Sequence, residues 1–306
     1  MDTGPRFGSI HGVTDNRRPI ARRPRSHAPH GNALLRCSVS QGERTAFPAS
    51  GSHAEHGNQA AFQSHEQPTP MMLDKSSDGI REMFAAISPR YDFLNHFLSL
   101  GIDRSWRRWT VKLVPPAGDG PILDVCTGTG DLALEYWRAS GGRATIVATD
   151  FCRAMLDIGA AKCRRRKADG CITLMEGDTR QLPFDDNTFQ IVCVAFGLRN
   201  VRTPEEGLRE MVRVCRPGGR VAVLEFSMPE GRMLAGLYRF YFRRVLPLVG
   251  QALARNRHKA YNYLPASVGQ FPQDVALAAE MREAGLRNVE QHRFTFGIAT
   301  LYVGEK

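Results

Sequence analysis

The segment DVCTGTGDLAL at positions 124–134 constrains the fold of this chain more than any other part of it. The apolar run PILDV precedes two glycines, Gly128 and Gly130, and a segment with the apolar spacing of a helix follows. Glycines permit a tight turn and a close approach of the backbone to a ligand. The order strand, glycine loop, helix is therefore typical of a nucleotide-binding, Rossmann-like sheet.

The remainder of the chain continues the alternation of strands and helices. The apolar runs ATIVATD, ITLMEGD, FQIVCVAF and GGRVAVLEF are separated by helical segments such as PEEGLREMVRVC. This pattern predicts an α/β fold with a mostly parallel sheet that is covered on both faces. The last two runs, NVEQHRFTF and IATLYVGE, are separated only by Gly297, which predicts an antiparallel C-terminal hairpin.

Two helical regions flank the predicted sheet. Apolar residues recur three and four apart in 71–116, with breaks at Pro89 and Gly101, which predicts two or three short helices forming an N-terminal cover. The segment 233–264 is apolar and aromatic but too rich in arginine to cross a bilayer. We predict that it caps the substrate site within a cofactor-binding region covering 117–306.

Residues 1–70 differ in composition from everything that follows. They hold six of the nine histidines and eight arginines, but no lysine, tyrosine or tryptophan. Without periodic apolar residues they cannot bury enough surface to offset their ordering entropy, so we predict a disordered basic extension. A targeting peptide is one explanation. A solvated linker, or a start codon upstream of the one at Met71 or Met72, is favoured over it.

Charge and cysteine content limit the classes of function. The net charge is +10, yet the arginines are dispersed and no aromatic–basic stacking motif occurs, so no nucleic-acid partner is expected. The seven cysteines form no C-x-x-C pair, which favours a reducing, cytoplasmic location without structural metal. Neither a transmembrane helix nor a secretory signal is predicted.

The acids around the glycine loop favour one nucleoside cofactor over another. A dinucleotide would place its pyrophosphate near Asp131, and two like charges about 4 Å apart repel by about 4 kcal/mol at an effective dielectric constant of about 20. S-adenosylmethionine carries no phosphate, and its sulfonium and ammonium groups suit the carboxylates of Asp124 and Asp131. We therefore expect S-adenosylmethionine, with a dinucleotide oxidoreductase as the alternative.

Three loops at the carboxyl ends of successive strands are expected to hold this cofactor, because ligands of doubly wound sheets bind there. The first loop is assigned to the methionine part, the second to the ribose hydroxyls and the third to adenine. The predicted cofactor-binding residues are Asp124, Gly128, Thr129, Gly130, Asp150, Asp178 and Thr179.

Several motifs of this chain resemble the UbiE/MenG family of ubiquinone/menaquinone biosynthesis C-methyltransferases. They are YDFLNHFLSLGIDRSW, LDVCTGTGDLAL, LPFDDNTFQIVCVAFGLRNV, RVCRPGGRVAVLEFS and YNYLPASVGQFP. The resemblance runs from about Gly79 to the C-terminus. It implies a class I S-adenosylmethionine-dependent methyltransferase fold over 71–306 and C-methylation of a polyprenylated quinol.

The acceptor that we expect first is demethylmenaquinol, converted to menaquinol. The alternatives are 2-methoxy-6-polyprenyl-1,4-benzoquinol, both quinols, or another small molecule. An isoprenoid tail needs an apolar groove, and the N-terminal helices and 233–264 combine apolar faces with arginines. We therefore expect a peripheral contact at the inner face of the membrane, with a lid of core-facing aromatics as the alternative.

Candidate acceptor and catalytic residues lie in the motifs that carry the resemblance. Tyr91, Asp92 and Asn95 are candidate substrate contacts. Arg199 would stabilise a deprotonated ring hydroxyl or orient a water that accepts its proton, and Asn200 would fix the hydroxyl. The alternative role for Arg199 is a structural ion pair that holds its loop.

Three positions depart from the family's pattern. Leu94 replaces a methionine, and Ala195 replaces a small hydroxyl residue that is implicated in cofactor binding. Asp103 replaces a histidine, so an acid stands where the family has a group that titrates near neutral pH. Any role of that histidine therefore does not transfer to this chain.

Overall fold

The structure is a computed structural model that describes residues 77–118, 120–229, 231, 236, 238, 240–241, 244 and 260–306. The predicted disordered extension over 1–70 lies outside the described residues. So does most of the predicted cap over 233–264.

One seven-stranded sheet forms the centre of the fold. Its strands follow the order β3-β2-β1-β4-β5-β7-β6, and β1 to β5 are parallel to their neighbours, whereas β7 is antiparallel to both β5 and β6. The mostly parallel sheet with an antiparallel C-terminal hairpin is thus confirmed. The strands are β1 Ile122–Val125, β2 Ile146–Asp150, β3 Ile172–Glu176, β4 Phe189–Ala195, β5 Cys215–Phe226, β6 Arg287–Phe294 and β7 Ala299–Glu305.

Helices cover both faces of this sheet. Three of them precede it, and they are interrupted where the sequence predicted: Pro89 lies in a 3₁₀ turn, and Gly101 adopts a φ of +74° before the third helix. Among the described helices, none combines the length and apolar character needed to cross a bilayer. The helices are α1 Ser77–Ile87, α2 Tyr91–Leu98, α3 Ile102–Leu113, α4 Asp131–Ala139, α5 Arg153–Arg166, α6 Pro204–Val214, α7 Ala260–Gln270 and α8 Val275–Glu283.

The core lies in two layers, one on each face of the sheet. All four residues of β1 are buried, and neighbouring side chains enter different layers: Ile122 packs with Leu134 of α4, and Leu123 packs with Met211 of α6. Burial on both faces explains the continuous apolar strand runs. It also makes the central strands a rigid platform, whose carboxyl ends carry the loops described next.

Candidate active site

A cavity of about 570 Å³ lies at the carboxyl ends of β1, β2 and β4. The glycine loop, the helices α1 to α3 and the turn after β4 surround it. Of the predicted cofactor residues, it is lined by Asp124, Gly128, Thr129 and Asp150. Of the predicted substrate and catalytic residues, it is lined by Tyr91, Asn95, Arg199 and Asn200. Residues distant in sequence are thus brought to one site.

A second cavity, of about 350 Å³, shares part of its wall with the first. Cys126 and Asn200 line both cavities, whereas Asp178 and Thr179 line only the second. The Asp178 carboxylate accepts a hydrogen bond of 2.7 Å from Arg180, which lowers the pKa of Asp178. The third predicted loop therefore lies beside the main cavity rather than in it.

The glycine loop is joined to the end of β2 by backbone hydrogen bonds. Gly128 and Gly130 adopt φ values of +58° and +79°, a region that favours glycine. The Gly128 N–H donates to Asp150 Oδ2 at 2.8 Å, and the Cys152 N–H donates to Asp150 Oδ1 at 2.9 Å. Burial raises the pKa of Asp150 to about 6, because the ionised carboxylate loses hydration. Asp150 is therefore largely ionised at neutral pH.

Asp124 fixes the other side of the same loop. Its Oδ2 accepts hydrogen bonds from the Thr127 hydroxyl at 2.6 Å and from the Ala133 N–H at 3.1 Å. Burial raises the pKa of Asp124 to about 7. This carboxyl therefore shapes the turn, and near neutral pH it carries only part of a negative charge.

Asp131 requires a correction to the sequence argument, which treated its carboxylate as available to a cationic ligand. The structure pairs Asp131 with Lys162 and places it 3.9 Å from Arg107. Burial would raise the pKa of Asp131, but Arg107 and Lys162 outweigh this effect and lower it. Two basic side chains of the chain itself therefore balance the charge of Asp131.

Lys162 of α5 links the glycine loop to α2. Its buried Nζ donates hydrogen bonds of 2.9 Å both to Asp92 Oδ2 and to Thr129 Oγ1. The Thr129 hydroxyl in turn donates to Asp92 Oδ1 at 2.6 Å. The side chains of Thr129 and Asp92, one predicted for the cofactor and one for the substrate, thus bind each other. Sequence reasoning missed Lys162, which lies within a basic run of ordinary appearance.

Asp103, the residue at the family's histidine position, lies on the cavity wall within a polar cluster. It accepts hydrogen bonds from the Ser99 hydroxyl at 2.7 Å and from Arg107 at 2.6 Å, and His96 Nδ1 lies 2.7 Å from its Oδ2. Burial would raise the pKa of Asp103, but Arg107 and the hydrogen bonds outweigh it and lower the pKa. An imidazole therefore adjoins position 103, supplied by α2.

The turn Leu198–Asn200 after β4 brings Arg199 to the cavity. Arg199 Nη1 donates to Glu225 Oε2 at 2.9 Å and also to the Phe196 carbonyl. Glu225, at the end of β5, is only 1% exposed. Arg199 therefore forms the structural ion pair that was one of its two predicted roles, and it also lines the cavity. Sequence reasoning quoted Glu225 within LEFS but assigned it no function.

Aromatic rings form the cavity wall beside Arg199. The ring centroids of Trp106 and Phe196 are 5.8 Å apart, and those of Phe196 and Phe226 are 4.5 Å apart. The Trp106 indole N–H donates to Thr295 Oγ1 at 2.8 Å, which fixes the orientation of the indole. Such a wall offers flat apolar surface to a planar ring.

Comparison with known proteins agrees with the sequence resemblance. Residues 71–306 match the model of the ubiE/COQ5 methyltransferase family. The chain belongs to this family. A protein of Geotalea daltonii, named ubiquinone/menaquinone biosynthesis C-methyltransferase UbiE, is 45% identical over 234 residues, which cover 76% of this chain and 99% of that protein. A demethylmenaquinone methyltransferase of Deinococcus radiodurans is 43% identical over 239 residues, covering 78% of this chain and 97% of its own.

Solved structures support the fold. A SAM-dependent methyltransferase from Thermotoga maritima superposes with a TM-score of 0.51 at 19% identity, covering 74% of this chain and 99% of that one. Together with family membership, this likeness confirms the predicted methyltransferase fold. The chain is an S-adenosylmethionine-dependent methyltransferase.

Proposed function

We propose that this methyltransferase C-methylates a polyprenylated quinol, with demethylmenaquinol as the preferred acceptor. The names of the relatives support a role in quinone biosynthesis. The observation that carries the proposal is that the glycine loop and the Arg199–Asn200 turn line one cavity, whose wall beside Arg199 is aromatic. A methyl donor and a planar acceptor ring can therefore meet in it.

The donor end of the cavity fits the predicted cofactor. Gly128 and Gly130 give the loop a left-handed backbone on which no Cβ projects. Asp150 has an ionised carboxylate at neutral pH, which is suited to accept hydrogen bonds from ribose hydroxyls. We assign the Asp178–Thr179 loop, which lines the adjoining cavity, to adenine. When bound, S-adenosylmethionine supplies an electrophilic methyl group on a sulfonium.

The acceptor end must orient the ring and favour its deprotonated form. As the ring carbon forms its bond to the methyl group, the sulfur–methyl bond breaks and the sulfur keeps the electron pair. The same carbon then loses its proton. A guanidinium in a protein does not release its proton. Arg199 therefore acts by stabilising negative charge on the adjacent ring oxygen, and Asn200 holds the hydroxyl.

Assays with both quinols test this proposal. The purified chain is incubated with S-adenosylmethionine and either demethylmenaquinol or 2-methoxy-6-polyprenyl-1,4-benzoquinol, each kept reduced, and products are analysed by mass spectrometry. We expect methylation on ring carbon, faster with demethylmenaquinol. Methylation of neither quinol would contradict the proposal, and a faster reaction of the benzoquinol would reverse the order of acceptors. Arg199→Ala is expected to lower kcat, whereas an unchanged kcat would remove Arg199 from the chemistry.

We further infer a peripheral contact with the membrane, which would deliver the isoprenoid tail. Leu100 is 84% exposed and also lines the main cavity, so it lies at the mouth. The exposed rings of Phe93 and Phe97 stack at 5.8 Å on the preceding helix, and Arg104 and Arg108 are exposed on the following one. Exposed aromatics beside basic residues are typical of an interfacial contact. Co-sedimentation with anionic liposomes at low salt, lost at high salt, is the expected result, and no binding at low salt would contradict the inference.

A further inference from the structure

Three buried polar atoms without a hydrogen-bond partner belong to residues that line the main cavity. They are Arg199 Nε, Asn200 Oδ1 and the Tyr263 hydroxyl, and none has a partner among the residues that the structure describes. Arg199 and Asn200 are only 6% and 9% exposed. Burial of a polar atom without a partner costs free energy, so buried polar groups are normally paired. Three exceptions on one wall indicate that a ligand supplies the partner.

We infer that Tyr263 is a further substrate-binding residue, whose hydroxyl joins Arg199 and Asn200 in binding one ring oxygen of the acceptor. This inference rests on the proposed function, since it concerns the quinol of that reaction. The sequence placed Tyr263 in the motif YNYLPASVGQFP and assigned it no role.

The fold brings Tyr263 to this position through α7. That helix contacts α1 on one side and the Leu198–Asn200 turn on the other. The Tyr263 ring packs on the apolar cluster of Met83, Ile87 and Met155, at the boundary between the N-terminal helices and α5. Its ring is thus held by apolar contacts, while its hydroxyl remains unpaired at the cavity.

The three atoms offer the hydrogen bonds that a ring hydroxyl needs. Asn200 Nδ2 lies 3.4 Å from the Phe196 carbonyl, which can only accept, so this contact orients the amide and leaves Oδ1 as an acceptor. Arg199 Nε can only donate, and the Tyr263 hydroxyl can donate or accept. A ring hydroxyl can therefore donate to Asn200 while accepting from Arg199 and Tyr263. After deprotonation, the ring oxygen keeps both of these donors.

The test compares two tyrosines that share one property and differ in location. Tyr136 also has a buried hydroxyl without a partner among the described residues, but it lies in the core of the sheet and not on the cavity. In both Tyr263→Phe and Tyr136→Phe, an unpaired hydroxyl is removed, so neither variant should be less stable than the wild type in urea. We expect Tyr263→Phe to lower kcat/KM for demethylmenaquinol by about 5- to 100-fold, and Tyr136→Phe to leave it unchanged.

Donor affinity, measured by calorimetry with S-adenosylhomocysteine, should be the same in the wild type and in both variants. A wild-type kcat/KM in Tyr263→Phe would overturn the inference and leave the proposed function intact; this is the result expected if only water occupies the polar wall. Weakened binding of S-adenosylhomocysteine by Tyr263→Phe would overturn it too, because Tyr263 would then contact the donor. A wild-type protein that methylates no quinol would overturn the proposed function itself.

Discussion

The two ends of the cavity differ in how their polar groups are satisfied. At the donor end, the carboxylates of Asp124 and Asp150 each accept two hydrogen bonds from the chain's own loop. At the acceptor end, Arg199, Asn200 and Tyr263 each keep one buried atom without a partner in the described structure. The donor end is therefore formed before any ligand arrives, whereas the acceptor end is completed by its ligand.

This difference follows from the elements that build each end. The donor loop follows a strand that is buried on both faces, and short-range hydrogen bonds fix its shape. The acceptor end is assembled from the turn after β4, the end of β5 and α7, which are far apart in sequence. One buried ion pair, Arg199 with Glu225, joins two of these three elements. Substitutions should therefore act differently at the two ends.

The largest effect is expected from Glu225→Ala, in which Arg199 keeps its charge in a buried site without a carboxylate. Loss of one partner of a buried ion pair typically destabilises a protein by about 3–5 kcal/mol. The free energy of unfolding in urea should fall by this amount, and the double variant Arg199→Met/Glu225→Leu should recover most of it. A loss below about 1 kcal/mol in the single variant would mean that this pair does not hold the acceptor end together.

The next largest effect is expected in the pH dependence of the donor end. Because burial raises the pKa of Asp150 to about 6, above its ordinary value, the folded protein retains a proton there that the unfolded chain releases. The stability contributed by Asp150 is therefore complete at acid pH and is lost as the pH rises from about 4 to about 6. The loss amounts to about 3 kcal/mol for a difference of about two pKa units.

The comparison of wild type with Asp150→Asn isolates this group, because Asp124 titrates in both proteins. The stability difference between the two should change across this pH interval in urea unfolding. Over the same interval, S-adenosylmethionine should bind more tightly to the wild type as the carboxylate ionises. Parallel stability curves for the two proteins would contradict the assignment to Asp150.

A third prediction concerns Lys162, which links the two ends through Asp92 and Thr129. In Lys162→Met these two residues and Asp131 lose a charged donor. Hydrogen bonds to charged groups contribute about 1.5–3 kcal/mol, and the partial exposure of both carboxylates favours the lower part of that range, about 2 kcal/mol. Urea unfolding measures this loss, and calorimetry should show weaker donor binding. Lys112→Met, on the exposed side of α3, is the matched control and should change neither quantity.

Elements set by local patterns could be predicted from the sequence. Helix α4 has the bounds expected from DLALEYWRA, and the breaks near Pro89 and Gly101 divide the N-terminal helices as predicted. Apolar periodicity and turn residues determine such features within a few positions. They therefore leave a readable signal in a single sequence.

The partners of the charged residues could not be predicted in the same way. Lys162 lies 31 positions from Asp131, and Arg199 lies 26 positions from Glu225. No local spacing indicates such pairs, since the topology of the sheet alone brings them together. For this reason the sequence treated Asp131 as a free charge and left the two roles of Arg199 open. The position of Tyr263 likewise depends on how α7 packs beside the turn after β4.

The smallest expected effect concerns the mouth of the acceptor end. Leu100→Ala is expected to raise KM about 5-fold for a quinol with its isoprenoid tail, since contact with a leucine side chain contributes on the order of 1 kcal/mol of apolar burial. A tail-free analogue should show no change in KM, because Leu100 would contact the tail and not the ring. Val275→Ala removes another exposed apolar side chain, on α8 and outside the cavity lining, and should leave both values unchanged. An equal rise with both substrates would place the ring, rather than the tail, beside Leu100, and would move the polar groups of Arg199, Asn200 and Tyr263 out of its reach.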